Sequence, residues 1–432
     1  MKLAEHTGAT SDRGRTLTVV LCMIVTIIEG YNLIVFGSVV PLLLADPTLG
    51  ITDSQLGLIG GVVYIGAVLG SLLAPVVAER LGKKATLAAA ISIFAVGAAV
   101  AGLAVSGGML GAARLLSGIG VGAALTTAMT IARNNAPQGR ASLIVTVTMA
   151  GIPLGGVVAA LLAIPILPTL GWRAMFFVGS GFAVVILACV LAGRLPRTAQ
   201  ETAGSAWSIR QKLVAVFAGR GAAVATVIAV CAIANMIAWQ GLNVWAAQSM
   251  IDLGFSLSAA LLFTFALTGA AVLGSFATAW AADRSSSAVV SIATGSCTLL
   301  GLLGILLLPL SVPTAIVSVA LMGIGGHSTM NLVHTTTSGI YPLPARATAM
   351  GWSNGTSFIG AFLGPTLGGI AVAGGGAYGI FGAFAIAAAA CLAGVIGLFL
   401  LDRTATPASF RGPAAGQDSP ELDAAPPVAV IT

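Results

Sequence analysis

The chain has 432 residues, of which 57% are hydrophobic and only 7% are charged, and its mean hydropathy is +1.03. Soluble globular domains carry about 25% charged residues, so 19 basic and 13 acidic side chains could not cover a water-exposed surface of this size. The composition therefore excludes a soluble protein, and the scattered positions of the basic residues exclude a nucleic-acid-binding face despite the net charge of +6.

Apolar runs long enough to cross about 30 Å of hydrocarbon recur from Leu17 to Leu401. Charges and turn residues divide them into twelve predicted transmembrane spans, at 17–44, 55–78, 85–106, 109–132, 142–167, 172–193, 221–250, 256–282, 288–309, 313–340, 347–374 and 376–401. The predicted fold is an all-α membrane protein with two six-helix bundles, at 17–193 and 221–401. A segment at 1–16, a linker at 194–220 and a disordered tail at 402–432 complete the chain.

The positions of the basic residues predict the orientation of the spans. With both termini in the cytoplasm, seventeen of the 19 basic residues face that side, and the exceptions are Arg114 and Arg173. Such a bias follows the positive-inside rule and favours an even number of spans. We expect a multi-pass protein of the cell's inner membrane.

The two halves carry a repeated pattern. Gly70-Ser71 precedes Glu79-Arg80 by nine residues, and Gly274-Ser275 precedes Asp283-Arg284 by the same interval, 204 residues later. Internal duplication about a central linker is typical of transporters whose halves move around a shared site.

Glycines concentrate in spans 4, 5 and 11. They allow helices either to pack closely or to slide against one another. The residues are Gly118, Gly120, Gly122, Gly151, Gly155, Gly156, Gly360, Gly364, Gly368 and Gly369.

Glu29 is the one acidic residue that the predicted spans place deep in the membrane. It lies twelve residues beyond Leu17, about 18 Å along span 1. A charge there costs at least ~2.5 kcal/mol, so the carboxyl must face a cavity, be paired or be protonated. We predict that Glu29 faces a water-accessible cavity and takes up and releases protons; a neutral acid hydrogen-bonded within the bundle is the alternative.

Arg114 is the matching cation in span 4. Arginine remains charged, so its guanidinium needs a carboxylate or a substrate anion. We predict that Arg114 serves both proton coupling and substrate binding, and the alternative is an interfacial arginine that reaches towards water.

Polar and aromatic residues share helical faces in the second half. His327, Asn331 and His334 align in span 10, as do Asn235, Trp239 and Asn243 in span 7, and Trp352 lies in span 11. Aromatic faces beside amides suit a small planar ligand, and a histidine can exchange protons near neutral pH. Structural or interfacial roles remain open for each.

Several stretches resemble the major facilitator superfamily. The segment 75–84, PVVAERLGKK, is similar to its G-x-x-x-D-R-x-G-R-K loop, and Asp283-Arg284 resembles a second copy. Arg114 begins a stretch that resembles the family's span 4 arginine motif. The resemblance implies that Glu79, Arg80, Gly82, Asp283 and Arg284 form a latch between the cytoplasmic ends of the bundles.

Within that superfamily, the sequence is most similar to aromatic acid:proton symporters. Glu29-Gly30-Tyr31-Asn32 resembles their D-G-x-D motif, although Asn32 replaces the second acid. The resemblance implies import of a small organic anion, such as a benzoate or hydroxybenzoate, coupled to protons by alternating access. The predicted proton-coupling residues are Glu29, Arg114 and His327, and the predicted substrate contacts are Tyr31, Asn32, Arg114, Trp239, Asn243, His327, Asn331 and Trp352.

Two other functions compete with symport. A drug:proton antiporter exports apolar cations, but Arg114 and the absence of a second deep acid disfavour it. A membrane enzyme or receptor is disfavoured because the sequence carries no nucleophile with a base and no phosphate-binding loop. The five cysteines lie in apolar runs without metal-like spacing. We expect no metal, no cofactor and no nucleic-acid partner, and a monomer in the lipid bilayer.

Overall fold

The computed structural model describes residues 12–136, 144, 147–193 and 207–403. These residues contain eleven helices and no β-strand. The helices are α1 (Asp12–Leu44), α2 (Asp53–Leu81), α3 (Lys83–Gly102), α4 (Gly107–Asn134), α5 (Gly151–Ala192), α6 (Ile209–Phe217), α7 (Gly219–Asp252), α8 (Leu257–Arg284), α9 (Ser287–Leu307), α10 (Val312–Ile340) and α11 (Leu343–Arg403). We call residues 12–193 the first half and residues 207–403 the second half.

Short polar residues fix where several helices begin. Thr52 accepts a hydrogen bond from the backbone of Gln55, whose side chain accepts one from the Thr52 backbone, which forms a capping box. Ser106, Ser256 and Ser311 cap α4, α8 and α10 in a similar way. These caps satisfy backbone N–H groups that would otherwise lack partners at the helix ends.

Ten of the described helices are long and apolar enough to cross a membrane. Two are much longer than one crossing requires: α5 has 42 residues and α11 has 61. Each is interrupted by a glycine with positive φ, Gly171 at 73° and Gly376 at 58°. The prediction of an all-helical membrane protein is confirmed, whereas twelve helices in two bundles stays a prediction.

The interval 194–220, which the sequence predicts to be a linker, contains more structure than expected. Helix α6 occupies Ile209–Phe217, and α7 begins at Gly219. A serine cap and a buried pair, Ala215 and Val216, stabilise α6 against the second half. The predicted tail beyond Arg403, most of the segment 1–16 and the beginning of the span at 142–167 lie outside the described residues.

The predicted glycines produce close helix packing. A β-carbon at Gly118 or Gly122 of α4 would overlap a backbone carbonyl oxygen of α2, that of Val63 or of Ala67. Gly155 lies equally close to the Ile27 carbonyl oxygen of α1. These glycines allow neighbouring helices to approach until their backbones touch.

The two halves meet from the middle of the bundle to the end that carries the 45–52 loop. A β-carbon at Gly57 of α2 would lie 2.5 Å from the carbonyl oxygen of Pro365 in α11. One at Gly37 of α1 would overlap the carbonyl oxygen of Asn243 in α7. These backbone approaches bring α1 and α2 of the first half against α7 and α11 of the second.

Candidate functional site

Arg114 is a buried cation in α4. Its side chain is 1% exposed, and Nη1 donates a hydrogen bond of 3.0 Å to the backbone carbonyl of Asn32 in α1. Its Nε and Nη2 atoms have no hydrogen-bond partner among the described residues, and no described carboxylate lies within salt-bridge distance. A buried guanidinium with free donors is costly unless an anion satisfies them, so this position is suited to bind a carboxylate.

The surroundings of Arg114 add an aromatic surface and an amide. The guanidinium carbon lies 4.6 Å from the ring centroid of Phe36, a cation–π distance. Asn32 is 2% exposed and its Nδ2 amide has no partner among the described residues. The site therefore offers one charged donor group, one neutral donor and an aromatic face.

Glu29 lies one turn before Asn32 on α1 but faces a different environment. Its side chain is 2% exposed and lines a cavity of about 10 Å³, about the smallest volume that holds one water molecule. The other lining residues are apolar and come from α1, α3, α4 and α5: Val25, Ile28, Ile91, Phe94, Ala124, Ala183 and Ile186.

This position corrects the predicted orientation of Glu29. The sequence predicts a water-accessible cavity around Glu29, whereas the side chain faces a cavity of about 10 Å³ in the interior of the first half. Neither carboxyl oxygen has a hydrogen-bond partner among the described residues, so an ionised carboxylate would have no compensating donor there. The packing of α1 against α4 and α5 turns this face of α1 inward. The predicted proton-coupling role of Glu29 stays a prediction.

Trp239 and His327 form the second part of the candidate site. Their ring centroids are 5.8 Å apart, and the rings are inclined at 51°. The side-chain amide of Asn235 donates to the Gly326 carbonyl at 2.9 Å, which holds α7 beside α10 at this level. One turn further along α7, the amide of Asn243 donates to the Trp239 carbonyl at 2.7 Å, and its Oδ1 lacks a partner among the described residues.

The predicted polar face of α10 continues along that helix. His327, Asn331 and His334 are all half-buried. His334 Nδ1 lies 3.1 Å from the Ser353 hydroxyl of α11, and the tautomer decides which atom donates. The three side chains give one face of α10 a row of hydrogen-bonding groups.

Arg114 and Trp239 approach the contact between the halves from opposite sides. Phe36 borders Arg114, and a β-carbon at Gly60 would lie 3.1 Å from Phe36 and 3.3 Å from Val244 of α7. Val244 directly follows Asn243, which the sequence predicts to contact substrate. Phe36, the neighbour of Arg114, and Asn243, one turn from Trp239, therefore lie on helices that meet at the contact between the halves.

Two predicted substrate contacts lie elsewhere. Tyr31 is 1% exposed and packs within the first half, where its hydroxyl donates to the Met175 carbonyl at 2.9 Å and its ring meets Phe182 edge-on. Trp352 donates a hydrogen bond from Nε1 to the Ala225 carbonyl at 2.8 Å. Ala225 lies fourteen residues, or about 21 Å, along α7 from Trp239. The sequence predicts both Tyr31 and Trp352 as substrate contacts because it does not show which neighbouring helix each side chain contacts.

The predicted latch residues lie at the opposite end of the bundle from the 45–52 loop. Glu79, Arg80, Asp283 and Arg284 are exposed, and no ion pair joins the first two to the last two. Arg284 instead lies over its own helix, with its guanidinium carbon 4.0 Å from the ring centroid of Trp280. Gly82, with a φ of 82°, makes the tight connection between α2 and α3. The latch stays a prediction.

Sequence reasoning missed a polar clamp at the 45–52 end. The Asp46 carboxylate accepts hydrogen bonds from the Thr48 hydroxyl at 2.6 Å, the Trp172 indole at 3.0 Å and Arg173 at 3.2 Å. Thr48 contributes most to lowering the pKa of Asp46 to about 2, and Trp172 and Arg173 act in the same direction. The signal was present in the adjacent Trp172 and Arg173, one of the two basic residues that the positive-inside pattern left unexplained.

Comparison with known proteins identifies a family and several relatives of this chain. The sequence pattern of the Major Facilitator Superfamily matches residues 22–314 and 228–429. A gentisate transporter of Corynebacterium glutamicum is 30% identical over 371 residues, 83% of this chain and 82% of the relative. A benzoate transport protein of Acinetobacter baylyi is 25% identical over 81% of this chain and 82% of its own.

A solved structure of low sequence identity to this chain supports the fold. The crystal structure of a D-xylose-proton symporter superposes with a TM-score of 0.72 at 18% identity, and it covers 89% of this chain and 97% of its own. Together with the helical architecture and the extent of the sequence match, this places the protein among multi-pass membrane transporters rather than enzymes. The chain belongs to the Major Facilitator Superfamily.

Proposed function

We propose that this protein imports a small aromatic carboxylate, such as a benzoate or hydroxybenzoate, together with a proton by alternating access. The observation that carries the proposal is the buried Arg114, which has free donors and an aromatic neighbour but no described acid partner. The gentisate and benzoate relatives support the substrate class, because both compounds are aromatic carboxylates.

The substrate would contact both halves. Its carboxylate would bind Arg114 and Asn32, since a planar guanidinium matches a carboxylate with two donors. Its ring would lie between Phe36 and Trp239, where offset or edge contacts between rings are favourable. Asn243, His327 and Asn331 would then meet the ring substituents. This arrangement would give the two halves different tasks, charge recognition in the first and shape and hydroxyl recognition in the second.

Glu29 would carry the coupled proton. Its apolar surroundings favour a neutral carboxyl in this conformation, and release of the proton would require a rearrangement that admits water to α1. Because Glu29 is a single deep acid, one proton would accompany one monoanion. The loaded carrier would then move no net charge, unless His327 carried a second proton.

The architecture of the proposal is twelve spans in two six-helix bundles, at 17–193 and 221–401. The interruptions at Gly171 and Gly376 support this count, because each divides a long helix into two pieces of membrane-spanning length. The contact between the halves near the 45–52 loop would be the closed gate of this conformation. We further propose an inner-membrane monomer with both termini in the cytoplasm and the predicted latch between Glu79-Arg80 and Asp283-Arg284.

A ligand panel tests the proposed substrate. Purified protein is heated with benzoate, hydroxybenzoates, aliphatic acids or cationic drugs, and the melting temperature is recorded, because a ligand that binds only the folded state raises it. We expect the aromatic acids to stabilise the wild type and to lose this effect in Arg114→Gln.

The matched control is Arg133→Gln, which removes an exposed cation near the end of the same helix. This variant should keep the full stabilisation by aromatic acids. Stabilisation by cationic drugs alone would contradict symport of an anion and favour a drug antiporter. Equal stabilisation of the Arg114→Gln variant would remove Arg114 from the substrate site.

A further inference from the structure

Helix α6 has one buried side and one exposed apolar stripe. Ala215 and Val216 are buried, whereas Ile209, Leu213 and Phe217 are 76%, 44% and 42% exposed. The three exposed residues follow one another at intervals of four, so they share one helical face. Exposure of such a stripe to water would be energetically unfavourable. This indicates that this face of α6 contacts an apolar environment.

Close contacts hold α6 against the transport helices. A β-carbon at Gly221 of α7 would overlap the carbonyl oxygen of Ala215. The Phe217 ring meets Trp352 of α11 edge-on, with centroids 5.1 Å apart. Tyr341, between α10 and α11, and Ala345, at the beginning of α11, belong to the same apolar cluster as Val216. The orientation of the stripe is therefore set by the second half and is not that of a free linker.

A shallow groove with one basic edge lies along this stripe. Its volume is about 570 Å³. It is lined by Ile209, Arg210, Leu213, Val214, Phe217 and Ala218, so Arg210 is its one charged lining residue. At about 100° per residue, the half-buried Lys212 falls between Ala215 and Val216, on the side of α6 away from the groove. Residues 207–220 contain three basic residues and no acid.

We propose that α6 lies in the membrane interface and that its exposed face is a binding site for an anionic phospholipid. The acyl chain would occupy the apolar groove, and Arg210 would meet the phosphate. An apolar stripe edged by a basic residue, whose long stem can lie along apolar surface, is suited to a helix that lies in this plane of a bilayer. The groove is complementary to an acyl chain and Arg210 to a negative headgroup, so one amphipathic molecule satisfies both.

The alternative occupant is the chain's own segment 404–432, which contains acidic residues at Asp418, Glu421 and Asp423. That segment is rich in Ala and Pro and offers few large apolar side chains to fill the groove. We therefore favour the lipid, and the tail becomes an outcome of the test. The proposal does not depend on the identity of the transported substrate.

Lipid binding to the purified full-length protein tests the site directly. Phosphatidylglycerol or phosphatidylcholine is titrated into detergent solution, and native mass spectrometry counts the lipid molecules that each protein retains. The wild type should bind phosphatidylglycerol more tightly than phosphatidylcholine. Arg210→Gln should weaken phosphatidylglycerol binding about fivefold, which is the contribution of one basic residue near a membrane surface.

Two further variants separate a built site from general attraction. Arg133→Gln removes an exposed cation elsewhere and should leave phosphatidylglycerol binding unchanged. Leu213→Ser should weaken both lipids to a similar extent, because it removes part of the groove but no charge. Arg210 is exposed, so Arg210→Gln leaves the buried contacts of α6 intact and its effect is measured on folded protein.

Three outcomes would overturn the proposal. The first is equal affinity of the wild type for the two lipids. The second is a loss in Arg133→Gln as large as that in Arg210→Gln, since the attraction would then be diffuse. The third is a preference for phosphatidylglycerol that emerges only after the chain is ended at Arg403, because the tail would then be the natural occupant of the groove.

Discussion

The two halves of this transporter handle polarity in different ways at the level of the candidate site. In the first half, Arg114 and Glu29 are ionisable, buried and short of partners among the described residues. In the second half, Trp239, Asn235 and His334 take part in ring contacts or hydrogen bonds. Under the proposed function, this difference would assign charge and proton chemistry to the first half and recognition of the substrate ring to the second.

The largest effect should come from Glu29→Gln, which removes the proposed proton carrier and keeps the volume of the side chain. In a one-to-one symport, a pH gradient of one unit supports about tenfold accumulation of substrate. We expect the variant to lose this accumulation while it retains exchange of labelled for unlabelled substrate. Uptake into proteoliposomes with an imposed pH gradient measures both.

The control for this experiment is Asp252→Asn, which changes an exposed acid at the end of α7 that bonds only to Gln248 among the described residues. It should accumulate substrate like the wild type. Normal pH-driven accumulation by Glu29→Gln would break the comparison, because proton coupling would then lie outside the first half.

A smaller effect is expected for Trp239→Leu. Loss of an aromatic contact with the substrate ring should weaken binding about three- to tenfold, and the dependence of uptake on the pH gradient should persist. Equilibrium binding of labelled benzoate gives the dissociation constant. The matched variant is Trp352→Leu, because the structure places that ring far along α7 from Trp239. Equal losses in the two variants would contradict the position assigned to the substrate ring.

Asp46→Asn tests whether the first half also needs its clamp for stability. Charge-assisted hydrogen bonds from Thr48, Trp172 and Arg173 stabilise the ionised carboxylate, so the substitution should lower the free energy of unfolding by about 1 kcal/mol at neutral pH. Because the folded-state pKa of Asp46, about 2, is below its ordinary value, this contribution is complete above about pH 4.

The contribution should decline as the pH falls through the folded-state pKa of Asp46. Melting curves of wild type and Asp46→Asn in detergent should therefore differ at pH 7 and converge towards pH 2. The control is Asp283→Asn, an exposed acid at the end of α8. A gap between wild type and Asp46→Asn that did not change with pH would show that the carboxylate charge contributes nothing.

The smallest expected effect is that of voltage. One proton with one monoanion moves no net charge, so a membrane potential of 100 mV should leave accumulation nearly unchanged. A second proton on His327 would add ~2.3 kcal/mol per 100 mV, or roughly a 50-fold gain in accumulation. Transport current at a fixed pH gradient distinguishes the two cases. A large current would place part of the proton chemistry in the second half.

The sequence predicted which ionisable residues are buried, but not what surrounds them. Glu29 and Arg114 stand out because ionisable groups are rare and costly within apolar runs. The predicted direction of Glu29 was wrong, because that side of α1 meets helices of the first half. Trp352 and Trp239 are both predicted substrate contacts because both are aromatic and lie in predicted spans. The packing of α11 against α7 separates them, since it places Trp352 beside Ala225.

Composition and charge placement alone established a polytopic helical membrane protein. A chain of 432 residues with so few charges cannot cover its surface for contact with water, whereas the hydrocarbon of a bilayer accommodates it. Local sequence also established where helices begin, since capping depends on residues a few positions apart. Only the tertiary structure decided that Arg114 lies beside Asn32 and Phe36, that Glu29 is enclosed in the first half and that α6 presents an apolar stripe outward. Those contacts join residues distant in the chain, and they depend on how whole helices pack, which no short stretch of sequence specifies.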